Sequence, residues 1–210
     1  MKPLNVAIFI FNDAEVLDFA GPFEVFNVAN TVAGKQLFNV YLVAESEQMQ
    51  FARNNFRILP DYNFAEGPPS DILVIPGGNG RKIQMHQVPV LNWVKHEAST
   101  ASLVLSVCTG SFILGNAGLL NGLSATTHHE SYEEFEKTFP KTKLVREVKY
   151  IDNGKIVTAA GISAGIDMSV MVVGKIHGIE LAKEVARHME YTLQLNDRTI
   201  FPEGKSVKES

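Results

Sequence analysis

Cys108 is the chain's one cysteine, and it stands between the apolar run LVLSV (103–107) and the sequence Thr-Gly-Ser. That arrangement suits a sharp turn from a buried strand into a helix, which exposes a side chain above a sheet. Free N–H groups and the partial positive charge of a helix N-terminus would favour the thiolate, the nucleophilic form. An inert, buried thiol is the alternative. Asp18 lies in VLDFAGP, with apolar neighbours on both sides. A partly buried carboxyl tends to keep its proton. Beside a sulfur it can donate a hydrogen bond and later deliver that proton. A helix cap or turn carboxylate fits the same spacing equally well. Gly77 and Gly78 follow the run DILVI (71–75), where their N–H groups could approach a developing anion or simply form a tight turn. His128, in ATTHHE, offers a Cys–His pair for acyl transfer or peptide hydrolysis. A structural histidine is the alternative, and His129 competes for either role. The pair His128–His129 lacks a zinc ligand set, so no metal is expected. PGGNG matches no nucleotide-binding pattern.

These residues need a scaffold that brings three loops together. Residues 4–11 form a continuous apolar run, as in a parallel strand covered on both faces. A helix is expected over 22–30, with Pro22 at its first position. Further strands are expected over 38–44, 71–75 and 103–107, with short edge strands in 49–62. Helices are expected over 90–98, 112–120 (buried), 130–138 (acidic at its start), 165–176 and 179–193. Residues 143–150 and 155–159 read as a hairpin around Asp152-Asn153-Gly154. Alternating strands and helices predict one doubly wound, mostly parallel α/β sheet with helices on both faces. Sites in such sheets lie at the carboxyl ends of strands, where Asp18, Gly77-Gly78 and Cys108 would converge. The domain is expected over 1–195, with a polar, fraying tail over 196–210.

Composition sets outer limits. The 210 residues are 45% hydrophobic and 20% charged, with a net charge of −4. That is enough chain for one full core. Nothing in it favours nucleic acid through bulk charge. A lone cysteine fits a reducing, cytoplasmic compartment. No apolar stretch reaches the roughly 18 residues of a membrane span. The N-terminal run lacks a signal-peptide cleavage pattern and reads as a strand.

Four motifs follow in order along most of the chain: VLDFAGPFEVF (16–26), DILVIPGGNG (71–80), SVCTGSFILGNAGLLNGLSATTHH (106–129) and TAAGISAGIDMSV (158–170). Together they resemble the DJ-1/PfpI (ThiJ) superfamily, whose fold is flavodoxin-like and related to class I glutamine amidotransferases. Within it the chain is most similar to the isocyanide hydratase branch and the N-terminal domains of AraC-type regulators. Those carry Asp-x-x-Gly-Pro, matched by Asp18, Gly21 and Pro22, and Cys-Thr-Gly, matched by Cys108, Thr109 and Gly110. The protease-like branch has histidine where this chain has Thr109. DJ-1 has glutamate where this chain has Asp18.

The resemblance implies a cofactor-free hydratase acting on a small isocyanide. Cys108 would be the nucleophile and Asp18 the proton donor, with Thr109 placing water or the carboxyl. The N–H groups near Gly78, Thr109, Gly161 and Ile162 would steady charge, with His128 at the same site. It also implies a homodimer. Glyoxalase- or amidase-type chemistry, a redox-sensing or chaperone-like role for Cys108, and a ligand-binding regulator domain are the other classes. The last would need a helix-turn-helix segment, for which the short tail leaves no room, so DNA binding is not expected.

Overall fold

The computed structural model describes residues 2–193. The apolar runs become strands in chain order, separated by helices. The first half holds β1 (Leu4–Phe9), α1 (Val16–Ala33), β2 (Phe38–Ala44), β3 (Gln50–Ala52), β4 (Phe56–Ile58), β5 (Tyr62–Asn63), β6 (Ile72–Ile75), α2 (Arg81–Gln84) and α3 (Val88–Thr100). The second half holds β7 (Leu103–Ser106), α4 (Gly110–Asn116), β8 (Ser124–Ala125), α5 (Tyr132–Thr138), β9 (Lys143–Leu144), β10 (Tyr150–Asp152), β11 (Ile156–Ala159), α6 (Ala164–His177) and α7 (Ile179–His188).

Seven strands form the main sheet in the order β10-β11-β7-β6-β1-β2-β5. All pairs are parallel except β10–β11. The central strands β6 and β7 are buried at every position, which is why they read as unbroken apolar runs. From β1 the chain runs out to β2 on one side and returns to β6 on the other. The strand order therefore reverses at β1, and in open parallel sheets sites form beyond the carboxyl ends of the strands at such a reversal, here β1 and β6. Helices α1, α6 and α7 pack together, while α4 packs on α2, α3, β6 and β7. This is the doubly wound α/β sheet expected from the strand–helix alternation.

Several boundaries differ from expectation. The first helix begins at Val16, six residues before Pro22, which is buried inside it. A proline there removes one intrahelical bond, and tertiary contacts at the helix start outweigh that loss. Residues 143–150 do not make one strand. Glu147 has a positive φ of 57°, and the segment divides into β9, parallel to β8, and β10, antiparallel to β11. The buried helix expected to reach residue 120 stops at Asn116, just before Gly118 at φ 76°. The 49–62 region splits into a separate β3–β4 hairpin and the edge strand β5. The expected domain end at 195 and the tail over 196–210 lie outside the described residues. Among the described residues no helix is long and apolar enough to cross a membrane.

Candidate active site

Cys108 occupies the turn between β7 and α4, with a φ of 56°. A left-handed backbone costs a non-glycine residue about 1–2 kcal/mol, so the surrounding structure must hold it there. The Cys108 N–H donates to the Ala160 carbonyl (2.9 Å). The Cys108 carbonyl accepts from Thr127 Oγ1 (3.0 Å) and Ser111 Oγ (3.3 Å). Gly110 permits the turn to close, because a Cβ there would lie 2.1 Å from the Ile75 oxygen. Sequence reasoning does not single out Thr127 or Ser111. Their roles are to hold a backbone carbonyl, and no spacing rule marks that.

Asp18 arrives from the first turn of α1 and is fully buried. A carboxylate at this third helical position commonly folds back on the N–H of its own cap. Here the loop after β6 takes both places. Asp18 Oδ2 accepts from the Gly77 N–H (2.9 Å), and the Glu15 N–H donates to the Gly77 carbonyl (3.0 Å). Asp18 therefore caps nothing in its own helix. Its Oδ1 is buried without a hydrogen-bond partner. A Cβ on Gly77 would lie 2.5 Å from the Thr109 nitrogen and 3.0 Å from Asp18 Oδ2. Glycine is what lets this loop pass between the two.

The Asp18 carboxyl and the Cys108 thiol lie close enough to shift each other's titration, and the N–H groups of Thr109 and Ile162 favour charge on the sulfur. Burial pushes the Asp18 carboxyl up from 3.8 to about 8; the Gly77 N–H opposes this, the nearby Glu15 charge adds to it, and the Cys108 thiol opposes it. Burial also pushes the Cys108 thiol up to about 12, reinforced by the Asp18 charge and opposed by the two N–H donors. This corrects the expectation of a depressed thiol pKa. The local N–H groups do pull it down, but desolvation wins. The resting pair at neutral pH is a carboxylic acid beside a thiol.

The remaining expected residues take different parts. The Gly77 N–H is occupied by Asp18, and the Gly78 N–H donates to Thr109 Oγ1 (3.1 Å). Both glycines thus build the site from behind, and neither N–H is left open to an anion. Ile162 has a φ of 48° and keeps a partly exposed side chain. Gly161 lies under the His128 ring, where a Cβ would come 2.4 Å from Cδ2. His128 Nδ1 accepts from the Glu130 N–H (3.3 Å), and burial together with the His129 charge lowers its pKa. Among the described residues no hydrogen bond joins His128 to Cys108, so the Cys–His pair of a hydrolase is not assembled.

A family model for DJ-1/PfpI matches residues 4–175. An isonitrile hydratase of Pseudomonas putida is 30% identical over 191 residues, covering 90% of this chain and 78% of that protein. The HTH-type transcriptional regulator GbdR of Pseudomonas aeruginosa is 25% identical over 199 residues, covering 94% of this chain and 53% of the regulator. This chain therefore spans about half of that regulator. A THiJ/PfpI family protein from Pseudomonas syringae superposes with a TM-score of 0.82 at 25% identity, covering 93% of this chain and 79% of that one.

Proposed function

The chain belongs to the DJ-1/PfpI family, and from that premise we propose that it hydrates a small isonitrile to an N-substituted formamide. The observation that carries this reading is the buried Asp18 carboxyl set against Cys108, with both groups holding their protons at neutral pH. An isonitrile carbon must gain both a nucleophile and a proton. The neutral pair carries one of each.

In the first step Cys108 Sγ bonds to the terminal carbon of R–N≡C. Asp18 gives its proton to that carbon and takes the thiol proton. The product is the thioimidate R–N=CH–S–Cys108. Water then adds to the same carbon: Asp18 protonates the nitrogen and accepts a proton from the water. The tetrahedral R–NH–CH(OH)–S–Cys108 collapses, the C–S bond breaks, and the hydroxyl proton returns to the pair. R–NH–CHO leaves, and the net change is one water added. The Thr109 and Ile162 N–H groups would stabilise sulfur as it takes and releases charge. Thr109 Oγ1, held by Gly78, would keep Asp18 and the sulfur in register. The same reading takes residues 1–195 as the domain and two copies as the working unit.

The test is incubation with cyclohexyl isocyanide and chromatographic detection of N-cyclohexylformamide. Cys108→Ala should abolish product, and Asp18→Asn should lower turnover by ~100-fold or more. Formation of the formamide by Cys108→Ala at the parent rate would refute the covalent route. The similarity to a regulator favours a second reading, a ligand-binding module at the same site. It would be supported by saturable isonitrile binding with no product.

A further inference from the structure

Two segments enclose the Cys108 turn. Residues 158–162 lead out of β11, and the Ala160 carbonyl accepts the Cys108 N–H (2.9 Å). Residues 126–128 follow β8. The Thr126 N–H donates to Thr158 Oγ1 (2.9 Å), and Thr127 Oγ1 donates to the Cys108 carbonyl (3.0 Å). Cys108 is therefore held at its nitrogen by one segment and at its carbonyl by the other. The His128 ring joins the two. The three atoms that a Cβ on Gly161 would meet first all belong to it: Cδ2 at 2.4 Å, Nε2 at 3.1 Å and Cγ at 3.3 Å. The φ of Gly161 is not positive, so what calls for glycine there is the ring against it and not a left-handed backbone.

The ring closes a circuit of contacts from Cys108 to Ala160, Gly161, His128, Thr127 and back to Cys108. That circuit has strain to contain. Cys108 and Ile162 both have left-handed backbones, at φ 56° and 48°, and a β-branched residue such as Ile162 is poorly suited to that region. Such conformations persist only where the surroundings over-determine them. The His128 side chain is 19% exposed and is itself fixed. Its Nδ1 accepts from the Glu130 N–H (3.3 Å), and the His129 ring packs beside it with centroids 4.5 Å apart.

We propose that His128 is a positioning residue: its ring, seated on Gly161, closes the clasp that holds the 160–162 loop against the Cys108 turn. It acts by shape and not by proton transfer. The inference takes Cys108 as the reacting group of the reading above, while its test uses no isonitrile, so each can fail without the other.

The test is hydrogen exchange at the Cys108 amide, followed by NMR on the full chain, with the Ile8 amide of β1 as the reference for global unfolding. Three substitutions separate the parts that His128 plays. His128→Phe keeps a ring and removes the nitrogens. His128→Asn keeps a capping acceptor for Glu130 and removes the ring. His128→Ala removes both. Exchange at Cys108 should rise roughly fivefold in His128→Asn and His128→Ala and stay within about twofold of the parent in His128→Phe, with Ile8 unchanged throughout. Gly161→Ala should speed exchange in the parent, because its methyl displaces the ring, and should add nothing in His128→Ala. Parent-like exchange in His128→Ala or His128→Asn would overturn the proposal. So would a His128→Phe that exchanges as fast as His128→Ala, a matching rise at Ile8, or a Gly161→Ala effect as large without the ring as with it.

Discussion

Replacing Asp18 by asparagine should stabilise the protein, and by an amount that grows with pH. The folded chain holds the Asp18 proton up to about pH 8, whereas the ordinary value is 3.8. Below pH 3.8 the folded and unfolded states both carry the proton, and the stability linked to it is fully present. As pH rises, the unfolded chain releases the proton and the folded chain does not. Stability then falls by about 1.4 kcal/mol per pH unit until the folded carboxyl also ionises. By pH 7 the loss from this one group is roughly 4 kcal/mol. The asparagine side chain has no proton to lose, keeps an oxygen for the Gly77 N–H, and differs little in volume. The stability difference between variant and parent should therefore climb by roughly 4 kcal/mol between pH 3 and pH 7. For a chain of this size that is on the order of 10 °C in melting temperature. Urea unfolding followed by circular dichroism, at each pH unit from 3 to 8 on both proteins, measures it. All other carboxylates cancel in the difference, and in the folded chain Cys108 titrates above this window. A difference that stays flat with pH would refute the picture of a proton trapped by burial.

Two further substitutions test the scaffold around the pair. Cys108→Gly should be more stable than Cys108→Ala by about 1 kcal/mol, because glycine adopts the φ of 56° without strain; equal urea midpoints would show that the turn is not strained. Glu134→Gln should cost about 2 kcal/mol at pH 7. It strips the charge from the carboxylate that receives Arg81 Nη1 (2.9 Å) and leaves a guanidinium that is 3% exposed. The partner's pull holds the Glu134 carboxyl below its ordinary 4.5, so its contribution is present above pH 4.5 and is lost as pH falls. The cost of the substitution should fade over the same range, and a cost that persisted at pH 3 would point to packing instead of charge.

The central strands are legible because burial on both faces leaves an unbroken apolar run, and their ends then locate where Asp18, Gly77 and Cys108 meet. The helix start is not. Pro22 carries a strong local signal for a first helical position, but the signal that prevails is the contact of residues 14–15 with Gly77 and Gly78. Such backbone contacts, some 60 residues apart, leave no mark in side-chain type. The glycines show the same limit. Their presence in the loop suggests an anion cradle, whereas each N–H already has a partner. What glycine supplies at position 77 is room for Thr109 and Asp18 to close over it. The thiol pKa departs from expectation for a related reason. A helix N-terminus can be read from sequence, but the depth at which the sulfur ends up depends on how the whole sheet is covered.

That depth bears directly on which chemistry the site favours. A cysteine hydrolase works from a thiolate that a neighbouring base has already formed, and it needs a basic partner in contact with the sulfur. Here the contacting partner is an acid that burial keeps protonated, and the histidine in the vicinity commits Nδ1 to the Glu130 backbone. Attack on an amide would begin by creating a buried thiolate beside a carboxyl with no base to receive the proton. Addition across an isonitrile carbon requires no such separation of charge, since sulfur and proton go to the same atom and Asp18 both gives and receives a proton in one step. The features that raise both pKa values, and that make Asp18 costly to the fold at neutral pH, are therefore the features that the proposed hydration relies on to let the pair act as one neutral S–H donor. On the proposed reading, stability given up at Asp18 and reactivity at Cys108 have the same physical origin, the burial of both groups beyond the ends of the central strands.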